Sequence, residues 1–217
     1  MEQGIYIKVY KITCGLTGHP AVFYGLLNMD ADREQYLLLL LSDRNLPTGS
    51  FVASSGLESY VKHGFLSSTT SYDTSSEETV HFIRYSLESY AHSALPFVTD
   101  AHIAVSEALA SWKESRDLNL EGFRARVIQL DALYDAMTLN HVARRASKAQ
   151  GVALLTLFSK GFSRPAWLVS EDGDHKRWST ISSFIDHLKL DIRRNTTHGH
   201  LPVCWGVLTA ALGLSVG

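Results

Sequence analysis

From Asp30 onward the apolar residues of this chain recur at three- and four-residue intervals, and that period leaves room for little but packed helices. Ile181, Phe184, Ile185 and Leu188 carry it most plainly. Val127, Leu130, Leu133, Tyr134 and Met137 form a second stripe, and Val80, Ile83, Leu87 and Tyr90 a third. Residues 1–30 differ. Ile5, Ile7 and Val9 alternate with Tyr6, Lys8 and Tyr10, a short extended pattern, and glycines follow at 15, 18 and 25. The expectation is an atypical, poorly ordered leader over 1–30 and one all-α, bundle-like domain of about seven to nine helices over 31–217.

Local signals divide that domain. Asp30 or Asp32 can cap a helix ending in the run Leu37–Leu41, whose lack of a polar face predicts that protein nearly surrounds it. Pro47 and Gly49 break the chain, and Ser55 with Glu58 has capping-box spacing for a helix to about Phe65. Ser75 with Glu78 repeats that spacing at the next helix, and Pro96 predicts its end. Ile103, Ala108 and Leu109 lead a further helix to about Ser115. Val142–Phe158 reads as helix, and Gly151 inside it marks either close packing or a break. Residues 161–177 read as loop, with a charged turn at Glu171, Asp172, Gly173 and Asp174. A second loop covers Asn195–Gly199, and a last helix starts near Pro202, where proline suits the first turn.

Composition narrows function by exclusion. Apolar residues make up 45% and charged residues 19%, which is globular rather than disordered. A net charge of -2 gives no polybasic footprint for nucleic acid or an anionic membrane. The two cysteines, Cys14 and Cys204, lie far apart, so a reducing, cytoplasmic setting is expected. No phosphate-binding Gly-x-x-x-x-Gly-Lys-Ser/Thr, zinc-binding His-Glu-x-x-His or nucleophile-elbow Gly-x-Ser-x-Gly occurs. That shifts weight from catalysis toward binding.

Three constellations remain. His198 and His200 flank a glycine, and two imidazoles so placed suit a borderline metal such as nickel or zinc, or serve as structural histidines. Arg144 and Lys148, four apart, share a helix face beside Arg145 and Gln150, either as a solvated surface or as a docking patch for an acidic partner or a phosphate. Asp43, Pro47, Gly49, Ser50 and Phe51 form either a polar stop or a presented loop.

Residues 39–58, with Leu39 to Leu41, Asp43, Pro47, Gly49, Phe51, Gly56, Leu57 and Glu58, resemble the signature segment of the urease accessory protein UreF family. Three further blocks follow in the family's order: Leu95 to Phe97 with Ala101 and His102, Asn140 to Gly151, and Gly199 to Val203 with Gly206 and Ala211 to Leu214. The resemblance spans roughly residues 33–215. It implies an all-helical, non-enzymatic assembly factor that forms homodimers and binds UreD (UreH in some species). That complex recruits the GTPase UreG, whose activity UreF is viewed as modulating, and docks on apo-urease. Nickel is handled by the complex, with no tightly bound cofactor in the chain itself. Partner contacts are expected at Asp43, Pro47, Gly49, Ser50, Phe51, Glu58, Arg144, Arg145, Lys148 and Gln150. The family pattern continues past residue 217 with further helices and an Arg-, Gly- and Gln-rich end. On that basis Val207, Leu208, Leu212 and Leu214 are expected to form an exposed apolar patch and to lower stability. Rival readings are an all-helical metal-dependent enzyme built on Asp100, His102, His198 and His200, and a helical scaffold unrelated to urease.

Overall fold

A computed structural model of the chain describes residues 31–43, 46, 56–65, 72–115, 120–162 and 172–215, and the regular structure among them is entirely helical. Seven helices occur among the described residues: α1 (Ala31–Leu41), α2 (Leu57–Lys62), α3 (Tyr72–Ser115), α4 (Leu120–Met137), α5 (His141–Gly161), α6 (Asp172–Arg193) and α7 (Leu201–Leu212). The all-α expectation holds. The leader expected over 1–30 lies outside the described residues.

Helix α7 is apolar around nearly its whole circumference, and such a helix belongs inside a bundle. It packs against α3 and α5 and touches α4. Val203, Cys204, Val207, Leu208, Ala210 and Ala211 are all buried. The exposed patch expected at this end is absent: Val207 and Leu208 are fully buried and Leu214 nearly so, because α3 and α5 flank them. Gly206 sets the closeness of the α3 crossing. A Cβ there would lie 2.3 Å from the Val98 carbonyl oxygen and 2.8 Å from the Ala101 Cβ.

Helix α3 runs 44 residues without the break expected at Pro96. Proline removes one backbone donor and crowds the preceding turn, at a cost of about 3 kcal/mol. The opposing force is packing. Ala94, Phe97, Ala101, Ala104 and Val105 are buried on one stripe through the proline, against α7. The N-terminal half of α3 is different in kind. Val80, Ile83, Leu87 and Tyr90 fall on one face as expected, yet all are exposed. Ser75 and Glu78 lie inside α3, three residues or more past its start at Tyr72, so the helix begins earlier than the capping-box spacing predicts.

Three further expectations change. Helix α1 forms where expected, but of its leucines only Leu41 is buried, while Leu38, Leu39 and Leu40 face outward. Its carboxylate Glu34 accepts from the Ser215 amide at 2.7 Å, which ties it to the segment after α7. Helix α2 starts from Gly56 with no side-chain cap, and Ser55 lies outside the described residues. The charged turn expected at 171–174 gives way to helix from Asp172.

Helix α5 starts from Asn140, whose side chain accepts from the Val142 and Ala143 amides. Its buried face is Ser147, Gly151, Leu154, Leu155 and Phe158. Helix α6 lays Ile181, Phe184, Ile185 and Leu188, all buried, on the core. The ring pairs Phe158–Trp178 and Phe123–Phe184 join α6 to α5 and α4, with centroids 5.3 and 4.5 Å apart.

Candidate functional site

The loop from Arg194 to His200 joins α6 to α7, and α4 holds it at both ends. At the near end Arg124 grips Asp191 as a fork, Nε donating at 2.8 Å and Nη2 at 2.5 Å. Asp191 lies at the end of α6, and its carbonyl accepts from the Thr196 amide and hydroxyl as the chain turns. At the far end the carboxylate of Asp131 is almost wholly buried and receives four donors. Its Oδ2 accepts from the Thr197 hydroxyl at 2.5 Å and from the His198 and Gly199 amides at 2.6 and 2.8 Å. Its Oδ1 accepts from the His200 amide at 2.8 Å. A buried carboxylate without a cationic partner is costly unless donors surround it, and here the loop supplies them.

Helix α5 closes the other side. Gly151 permits this: a Cβ there would stand 2.1 Å from the Gly199 carbonyl oxygen. Gly151 therefore marks close packing, and α5 continues through it. One turn before it, Ser147 Oγ accepts from the Leu201 amide at 3.1 Å and lies 3.1 Å from His200 Nδ1. With the Ser147 hydroxyl donating to an unprotonated Nδ1, the imidazole is neutral and donates Nε2–H to Asp135 at 3.0 Å. Burial pushes the His200 pKa below the ordinary histidine value, against the opposing pull of Asp135.

Asp135 is one helical turn beyond Asp131 and forms the outward part of the site. Lys148 Nζ reaches its Oδ1 at 2.7 Å, and Arg144 Nε lies 3.7 Å away. His198 Nε2 is 3.8 Å from Oδ2. Lys148 also lies 3.1 Å from His198 Nδ1, and since an ammonium only donates, that nitrogen accepts. Burial would raise the Asp135 pKa, but the Lys148 and His200 hydrogen bonds, with the electrostatic pull of His198 and Lys148, outweigh it and hold it at about 2.

The structure thus brings together Arg144, Lys148, His198 and His200 from the expected set. Arg145 is exposed on the next position of α5, and Gln150 is half-buried two residues beyond Lys148. Glu58 is exposed in the first turn of α2, and Asp43 is exposed just after α1. Pro47, Gly49, Ser50 and Phe51 lie outside the described residues. The constellation Asp100, His102, His198 and His200 does not converge. His102 is buried against Thr209, Nδ1 to Oγ1 at 2.9 Å, about 13 Å along α7 from His200. Asp100 is exposed, two residues before His102 and so about 200° around α3. Both nitrogens of His200 are engaged, by Ser147 and Asp135. Among the described residues no three His, Cys, Asp or Glu side chains are placed to hold a metal ion. No described helix is long and apolar enough to cross a membrane.

Asp131, Asp135 and Ser147 carry the site and were missing from the expected set. The signal was present in the spacing. Val127, Asp131 and Tyr134 stand at i, i+4 and i+7, so Asp131 falls within a stripe that points to the core.

The class these features define is a helical protein whose charge-dense face is built on a buried aspartate and presents basic side chains. Similarity to known proteins makes the class specific. The UreF family profile matches residues 74–217. Urease accessory protein 6 of Cryptococcus neoformans var. grubii is 41% identical over 206 residues, covering 85% of this chain and 64% of that protein. An uncharacterized urease accessory protein UreF-like of Schizosaccharomyces pombe is 27% identical over 187 residues, covering 86% and 64%. Urease accessory protein F of Oryza sativa subsp. japonica is 32% identical over 155 residues, covering 71% and 49%. The chain belongs to the UreF family. It spans less than two thirds of the length of these relatives. No solved structure matches it.

Proposed function

We propose that the chain acts in urease maturation as a non-catalytic assembly factor, binding UreD (UreH), modulating the GTPase UreG and docking on apo-urease while nickel is installed. The observation that carries this reading is the 41% identity to urease accessory protein 6 over 85% of the chain. Nickel is cargo of the assembly in this reading, and the chain holds no tightly bound cofactor. We place it in the cytoplasm, as a homodimer. The exposed apolar residues of α1 and of the first half of α3 support self-association.

Partner contact is assigned to Arg144, Arg145, Lys148 and Gln150 on α5, with Asp43, Pro47, Gly49, Ser50 and Phe51 as a presented loop. The supporting geometry is at α5, where Arg144 and Lys148 stand on a shared face with their heads part-exposed. The test is co-purification of the folded chain with UreD and with nucleotide-loaded UreG. Retention of either supports the reading, and loss of both from a chain with a cooperative melt refutes it.

A further inference from the structure

Charge at the Asp135 site does not balance. Arg144 and Lys148 are fixed cations beside Asp135, His198 adds a part-exposed imidazole to the same carboxylate, and Arg145 follows Arg144 on α5 as a third fixed cation. Arg145 is exposed and makes no ion pair among the described residues. The other nearby carboxylate, Asp131, is buried and saturated by four donors, so it adds no docking surface. The chain as a whole carries -2, so this face departs from its surroundings.

The donors on offer are of one kind. Phosphate sites on helical proteins draw on free backbone N–H groups at helix N-termini. Most near this face are taken: Asp131 holds the amides of His198, Gly199 and His200, Ser147 holds that of Leu201, and Asn140 holds those of Val142 and Ala143. What the face chiefly offers is side-chain N–H on Arg144, whose Nε donates to the Thr138 carbonyl and whose terminal nitrogens carry further donors, and on Arg145, Lys148 and His198. One of them already holds a carboxylate, since Lys148 binds Asp135 at 2.7 Å.

We infer that this face recognises an acidic polypeptide segment, a run of Asp or Glu side chains on a partner protein, with Arg144, Arg145, Lys148 and His198 as donors and Asp135 setting the geometry of Lys148 and His198. The inference rests on the docking role given above to the same face of α5 and specifies the chemistry of what docks. Asp135 keeps Lys148 and His198 ordered before the partner arrives, which lowers the entropy lost on binding.

The probe is a fluorescent hexaglutamate peptide, titrated into the whole chain by anisotropy, with hexaglutamine as control. Hexaglutamate is expected to bind and hexaglutamine not, with affinity falling several-fold as salt rises from about 50 to about 200 mM. Arg145→Glu, at an exposed and unpaired position, should leave the melting temperature unchanged and weaken the peptide about tenfold. Equal binding of both peptides, indifference to Arg145→Glu, or displacement of the peptide by equimolar inorganic phosphate would each overturn the inference. Retention of UreD or UreG by a chain that ignores hexaglutamate removes this inference and spares the urease reading. Hexaglutamate binding that Arg145→Glu abolishes, without retention of either protein, supports the inference and removes the urease reading.

Discussion

Asp131 holds four donors on two oxygens, so its loss is worse than the loss of a single bond. Asp131→Ala leaves buried amides without acceptors, and each unsatisfied group costs about 1–3 kcal/mol. Urea unfolding should show a loss of roughly 3 kcal/mol or more. Asp131→Asn should recover only part, since its amide nitrogen meets N–H groups rather than acceptors. Two buried histidines give the molecule a pH response near neutrality. Burial lowers the pKa of His102, and burial opposed by Asp135 lowers that of His200. The unfolded chain therefore takes up protons first. This stability is complete above the ordinary histidine value of 6.5 and declines as pH falls below it. Urea midpoints measured from about pH 7.5 to about pH 5 should fall, and His102→Gln should flatten the slope. A second loss belongs to Asp135. Its folded pKa of about 2 lies below the ordinary carboxylate value of 3.8, so its contribution disappears as pH drops through that interval.

At the scale of elements, the sequence told more about where helices lie than about what ends them. The spacing of Ile181, Phe184, Ile185 and Leu188 located both a helix and its buried face. Pro96 misled, because a local rule met a stripe of Ala94, Phe97, Ala101 and Val105 whose burial against α7 favours continuity. Pro96→Ala restores one backbone donor in an exposed position, so thermal unfolding should show a gain of about 1–3 kcal/mol. The glycines behave in the opposite sense. Alanine usually strengthens a helix by about 1 kcal/mol over glycine. At Gly151 the added Cβ meets the Gly199 backbone at 2.1 Å, and at Gly206 it meets the Val98 carbonyl at 2.3 Å. Either alanine variant should lower stability by about 1–3 kcal/mol or more on calorimetric scans.

For the whole molecule, helix content followed from periodicity and the family from ordered motifs, but burial of the apolar stripes was only half legible. Amphipathic spacing says that a face wants cover, and it does not say whether the cover comes from the same chain. Val80, Ile83, Leu87 and Tyr90 have the same pattern as the core stripe of α6 and remain exposed. The site was legible in part for a related reason. Arg144 and Lys148 share a face by spacing, but the carboxylate they meet comes from another helix, and only the folded chain joins them. Exposed apolar faces of this kind predict concentration-dependent association. Sedimentation should show it, and Ile83→Glu with Leu87→Glu should shift the chain toward monomer with little change in melting temperature.

Helix α7 owns no N-terminal side-chain cap. Its first amide is satisfied by Ser147 of α5, the amides just before it by Asp131 of α4, and its second residue is Pro202, which has none. A peptide of α7 alone would therefore fray at its start despite its apolar length. In the intact protein, hydrogen exchange at His198, Gly199, His200 and Leu201 should not report local helix opening. Those four amides should exchange together and slowly, as a clock for the separation of α4 and α5 from the segment they enclose.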